Sequence, residues 1–168
     1  MSRKIIAPIA AGVMLAMAGA AQAATKSASF NVTASVGKNC VISATPLALG
    51  EFVGDNNLQV HSSILVRCTS GTPYDIALST GGSGDYTARE MAFGTDVLVY
   101  NLYTDGTFGA VWGDGSGTTD TVGGFGAGMA LGSQITHSVV GRLLASDNTG
   151  AIAAGLGYTD TIVATITY

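Results

Sequence analysis

The chain has 168 residues, of which 47% are hydrophobic and only 11% charged, with 24 glycines. The charged fraction is less than half of the ~25% usual for globular domains, and beside so much apolar content it excludes a disordered chain. Seven Lys and Arg against eleven Asp and Glu give a net charge of −4 without a basic cluster, so the chain is a poor binder of nucleic acid or anionic membranes, and its glycines lack the triplet period of collagen.

Residues 1–23 read as a secretory signal peptide. Arg3 and Lys4 form a basic start, residues 5–20 an uncharged Ala-rich run, and Ala21-Gln22-Ala23 fits the small-x-small cleavage pattern. The run is shorter than the ~20 residues of a spanning helix, and Pro8 and Gly12 interrupt it. The expectation is an exported protein of one domain, with five basic side chains against eleven acidic ones after cleavage.

Residues 28–36 alternate strictly. Ala28, Phe30, Val32, Ala34 and Val36 are apolar, with Ser29, Asn31, Thr33 and Ser35 between them, and Gly37 ends the pattern. Period two over nine residues predicts a half-buried strand. Its apolar face needs a partner, which is either the protein's own sheet or another molecule; periodicity leaves both open.

Cys40 and Cys68 are the two cysteines. In an exported protein an isolated pair reads as a disulfide, and closing a loop of this size stabilises the fold by ~3.5 kcal/mol in the chain-entropy model. Further strands are expected at 40–42, stopped by Pro46, at 60–68 and at 74–79, with a loop over 80–85. The β-branched and aromatic run 97–103 is the strongest strand, followed by an Asp105-Gly106 turn signal and a short strand at 110–112. Residues 113–128 are so rich in Gly, Asp and Thr that they read mostly as loop. A strand at 138–144 and a turn at 147–150 follow. Residues 151–156 could make a turn of helix at most. The terminal run 158–168 reads as a long strand with Ile162, Ala164, Ile166 and Tyr168 on one face. Seven or so short strands separated by turns predict an all-β sandwich.

Chemistry-bearing constellations are scarce. His61 and His137 have no second ligand at metal-binding spacing and read as surface or strand-flank residues. No G-x-S-x-G exists to anchor a Ser–His–Asp triad. Gly124-Phe125-Gly126-Ala127-Gly128 lacks dinucleotide-binding spacing, and the 114–120 loop lacks the alternating acids and closing Glu of a calcium loop. Asn31-Val32-Thr33 matches a glycosylation sequon of low specificity. The expectation is no catalytic residue, no metal and no cofactor.

The chain does resemble a known family over its mature length. The segments are Asn39-Cys40-Val41-Ile42-Ser43-Ala44-Thr45-Pro46-Leu47, Val66-Arg67-Cys68-Thr69-Ser70-Gly71-Thr72-Pro73-Tyr74, Arg89-Glu90-Met91, Tyr100-Asn101-Leu102-Tyr103, Val111-Trp112-Gly113-Asp114-Gly115, Gly141-Arg142-Leu143 and the end from Gly157-Tyr158-Thr159-Asp160 to Tyr168. In order, spacing and both cysteines they resemble the spore coat U domain family, which includes Csu-type subunits of archaic chaperone–usher pili.

The resemblance implies an all-β, incomplete immunoglobulin-like sandwich completed by a donor strand from another chain. It implies a donor-strand extension over 24–37, carrying Ala28, Phe30, Val32, Ala34 and Val36, before a domain over 38–168. The groove would border the terminal strand with Ile162, Ala164, Ile166 and Tyr168. Implied partners are a periplasmic chaperone, an outer-membrane usher and neighbouring subunits in a head-to-tail polymer, at the cell surface or secreted. The implied role is a fibre subunit supporting adhesion or biofilm formation; the alternative is a coat or envelope protein of the same fold that forms no extended pilus.

Overall fold

The computed structural model describes residues 23–150, 152–155 and 157–168; the expected signal peptide, save Ala23, and two residues of the 151–156 segment lie outside the described residues. The chain divides into two units, Met1–Ser35 and Val36–Tyr168.

In the first unit none of the described residues is in a strand, and all are exposed, Phe30 at 85% and Val32 at 83%. The strand expected over 28–36 is therefore not formed in the single chain. An extended segment becomes a strand only when its N–H and C=O groups find a partner, whatever its side-chain pattern.

The described residues of the second unit hold ten strands: β1 (Cys40–Ala44), β2 (Leu58–Cys68), β3 (Pro73–Leu78), β4 (Arg89–Phe93), β5 (Asp96–Tyr103), β6 (Val111–Trp112), β7 (Thr119–Asp120), β8 (Val122–Phe125), β9 (Ile135–Leu143) and β10 (Ala164–Thr167). One sheet runs β1-β2-β9-β5-β6-β7, with β4 also on β5; the other runs β10-β3-β8. Pairing is antiparallel throughout, except that β6 and β7 are parallel.

Alternation decides what faces inward. Ile64, Val66 and Cys68 of β2, Tyr74, Ile76 and Leu78 of β3, and Leu98, Tyr100 and Leu102 of β5 are buried in one core. Trp112 is completely buried, and its indole N–H donates to the Ile76 carbonyl at 2.9 Å, so β6 is tied to the opposite sheet. Cys40 and Cys68 face each other in the β1–β2 register and are disulfide-bonded, so the bond staples an edge strand to its neighbour.

Three elements differ from what local pattern suggests. Residues 113–128 are mostly loop, as expected, yet β7 and β8 lie in them. Glycine weakens β propensity, but here β3 side chains occupy the space a Cβ would need; at Gly124 it would lie 2.5 Å from the Tyr74 Oη. The strand β4 carries no clean alternation because it buries Arg89, so periodicity misses it. The long terminal strand is shorter than expected. Only Ala164–Thr167 is laddered, on β3, while Thr159 exchanges two backbone hydrogen bonds with Ala92 of β4 and the Val163 carbonyl accepts from Ser79 N–H.

Candidate functional site

The edge strands β1 and β10 belong to different sheets, and each pairs with a neighbour on one side only among the described residues. Between the end of β1 with the residues that follow it (44–49) and the C-terminal segment (158–164) lies an open trough of about 470 Å³. Ile64, Leu78, Tyr100, Leu102 and Val139 supply its floor, so it opens directly onto the core. A second hollow of about 910 Å³ is lined by Phe52, Leu58, Leu98, Leu143 and Ile152 and shares Leu47, Leu49, Met91 and Tyr158 with the first. The shared residues make the two continuous.

One wall is held by Asp160, the only charged side chain lining the first trough among the described residues. Its carboxylate accepts from the Tyr100 hydroxyl at 2.7 Å, from Gly82 N–H at 2.9 Å and from Thr161 N–H at 2.7 Å. Burial and the hydrogen bond to Asp160 push the Tyr100 phenol well above its ordinary range, so it stays a donor. Behind Tyr100, Arg89 is completely buried. Its guanidinium donates to the carbonyls of Ser79 and Trp112 and to the Asn101 amide oxygen, and burial draws its pKa downward. Each guanidinium nitrogen donates at least once, and these polar groups fix the wall.

The trough is therefore apolar, bordered by strand edges, and chemically quiet. Among the described residues no three His, Cys, Asp or Glu stand close enough to hold a metal. Such a cleft suits an extended chain: the flanking backbone supplies hydrogen bonds in register and the floor accepts every second side chain.

Of the residues singled out in the sequence, Ile162 and Ala164 line the trough. Ile166 packs against the core opposite Ile76, and Tyr168 follows β10, half exposed. Ala28, Phe30, Val32 and Ala34 are exposed in the first unit, and Val36 is exposed where the second begins. His61 is exposed on β2. His137 is half-buried on β9, where its Nε2 meets the Tyr74 hydroxyl at 2.8 Å. Sequence reasoning assigned no role to Arg89, Asn101, Asp160 or Asn148. Only their places in the family-like segments marked the first three, and Asn148 read as a turn residue. Its amide in fact caps β5, accepting from Val99 N–H at 2.7 Å and donating to the Val99 carbonyl at 2.9 Å.

Fold and trough together define an open β-sandwich with a largely apolar cleft between its edge strands. The Spore Coat Protein U domain matches residues 26–165, and the chain belongs to that family. It is 31% identical over 182 residues to Protein U of Myxococcus xanthus, with 97% of this chain and 96% of that protein covered. Its fold is similar to that of a chain in the crystal structure of the CsuC–CsuE chaperone–tip adhesion subunit pre-assembly complex from archaic chaperone–usher Csu pili of Acinetobacter baumannii. There the TM-score is 0.53 at 22% identity, over 78% of this chain and 40% of that chain. This likeness establishes an immunoglobulin-like sandwich; the chain spans less than half the length of that neighbour.

Proposed function

We propose that the protein is a structural subunit of a secreted surface fibre of the chaperone–usher type, assembled by donor-strand complementation and exchange. Residues 1–23 direct export. In the periplasm a chaperone strand occupies the trough, and at an outer-membrane usher the 24–37 arm of the next subunit replaces it. The fibre then serves adhesion or biofilm formation.

The observation that carries this reading is the coexistence of two complementary parts: an exposed arm with every second residue apolar, and an apolar trough whose bordering strands each lack a neighbour among the described residues. An uncovered edge of this kind is an aggregation hazard unless something adds a strand to it. The chaperone–subunit complex with a similar fold supports a chaperone partner.

The test is Phe30→Ala. Phe30 is the largest apolar residue of the arm, and its truncation should weaken the contact between subunits by about 3–5 kcal/mol. Fibre yield should fall while the chaperone-bound subunit keeps its melting temperature. A clear drop in that melting temperature rejects the donor role.

A second reading is favoured by the family's description as a spore coat domain: the same arm and trough build a coat or envelope layer without an extended pilus. Electron microscopy of the cell surface separates the two, since only the first produces filaments.

A further inference from the structure

The Gly124-Phe125-Gly126-Ala127-Gly128 segment has no part in the trough. It lies at the end of the domain where the chain enters. Asn39 N–H donates to the Thr69 Oγ1 at 3.1 Å, and Thr69 N–H donates to the Asn39 carbonyl at 2.9 Å. From the Thr69 turn, Gly71 N–H donates to the Gly126 carbonyl and Gly126 N–H to the Thr72 carbonyl, both at 2.8 Å; Gly128 N–H donates to the Cys68 carbonyl at 2.9 Å. Arg67 Nη1 reaches the Met129 carbonyl at 3.3 Å. The loop is thus laced to the root of the arm.

Its glycines allow that lacing. A Cβ at Gly126 would lie 2.3 Å from the Thr69 carbonyl oxygen, and one at Gly124 would strike the Tyr74 ring. The residue between them points the other way: Phe125 is 70% exposed, and beyond it Leu131 is 78% exposed. The backbone is pressed tightly inward while the large apolar side chains stand in water. Exposed apolar residues close in sequence, on a segment whose backbone is bonded to the Cys68–Thr72 turn, are candidates for an interaction surface.

We infer that Phe125, Met129 and Leu131 form a docking collar for the neighbouring copy of this chain, the copy whose trough holds the arm. This rests on the donor-strand reading above. The length of the connection decides the occupant. Val36 is the last alternating apolar residue of the arm, and Asn39 is already fixed to Thr69. Three residues reach at most about 11 Å when fully extended. A copy that seats Val36 is therefore held near Asn39 and the Thr69 turn, to which the backbone on either side of Phe125 and Met129 is bonded. Contact there limits rotation about the connection and adds apolar burial to the strand contact.

The test uses the full-length exported chain in its assembled polymer, with a photoreactive benzoylphenylalanine at position 125 or, separately, at position 30. Cross-links from both positions to a second copy, together with about tenfold faster subunit dissociation in Phe125→Ser/Leu131→Ser polymer, establish the collar. A position-30 cross-link to a second copy with none from position 125 overturns the collar and leaves the donor-strand reading standing. Cross-linking from position 125 to a different protein also overturns it. Absence of copy-to-copy cross-links from both positions overturns both readings. Unchanged dissociation of the double variant, with the position-125 cross-link intact, reduces the surface to bystander contact and rejects the inference.

Discussion

Arg89 is the residue on which the polar interior turns. A guanidinium excluded from water is tolerable only if its donors are occupied, and here Nε and Nη2 reach the Ser79 carbonyl, Nη2 also the Trp112 carbonyl at 2.7 Å, and Nη1 the Asn101 Oδ1 at 2.7 Å. Removing it takes the side-chain donor from the Ser79 and Trp112 carbonyls and one of two donors from the Asn101 amide oxygen. Arg89→Ala should cost about 3–5 kcal/mol, read as a fall in the urea midpoint. Arg89→Lys should recover little of the loss, because an ammonium cannot span the planar fork. His137 contributes a pH dependence between neutral and mildly acidic conditions. Partial burial beside Tyr74 lowers its pKa, so the unfolded chain takes up the proton more readily than the folded one. Its contribution is complete above the ordinary imidazole value of 6.5 and declines as pH falls below it. Stability measured by denaturant should therefore decrease from neutral pH toward pH ~5. In His137→Gln, which keeps a partner for the Tyr74 hydroxyl, that decrease should flatten; an unchanged slope assigns it to other groups.

Among the elements, β1 depends most on a covalent aid. It has five residues, a single strand partner and an open trough beyond it. The Cys40–Cys68 bond closes it onto β2 at the point where the chain enters the domain. Cys40→Ser/Cys68→Ser should cost ~2–5 kcal/mol and deplete the exported protein, measured by its periplasmic yield and thermal midpoint. Elements with hydrophobic alternation were legible from the sequence. Runs around β2, β3, β5 and β9 announced themselves, and the expectation of export made the cysteines legible as a bonded pair. What stayed hidden has physical reasons. The strand β4 turns a charged side chain inward, which breaks its pattern. The strand β8 is written in glycine because β3 side chains leave no room for a Cβ, and composition alone reads that as loop. Asn148 looks like a turn former, yet its amide substitutes for a strand at the β5 edge, a role set by tertiary position and invisible to local pattern. In the candidate site, the terminal alternation exposed Ile162 and Ala164, whereas Asp160 and Tyr100, which fix the wall, are far apart in sequence and meet only on folding.

At the scale of the whole molecule, the proposed arm and trough lie on one chain but join different copies, so the assembly has a direction. A heterologous contact of this kind does not close on itself and grows as an open fibre. This polarity can be tested by disabling each end separately. Phe30→Ser should leave a copy that accepts a strand and donates none. A second copy of the 24–37 segment appended after Tyr168 should fill that chain's own trough and leave a copy that donates and accepts none. Neither variant alone should polymerise. Mixed in equal amounts after release from the chaperone, they should form one-to-one dimers and nothing longer, because each dimer exposes one dead arm and one blocked trough. Size-exclusion chromatography with light scattering reads the outcome. The melting temperatures of chaperone-bound Phe30→Ser and of the self-filled copy, neither expected below that of the unmodified chaperone-bound chain, confirm that both halves are folded before mixing. Long polymer in the mixture, or dimers of either variant by itself, would mean that the copies join through some other surface and would refute the directional scheme.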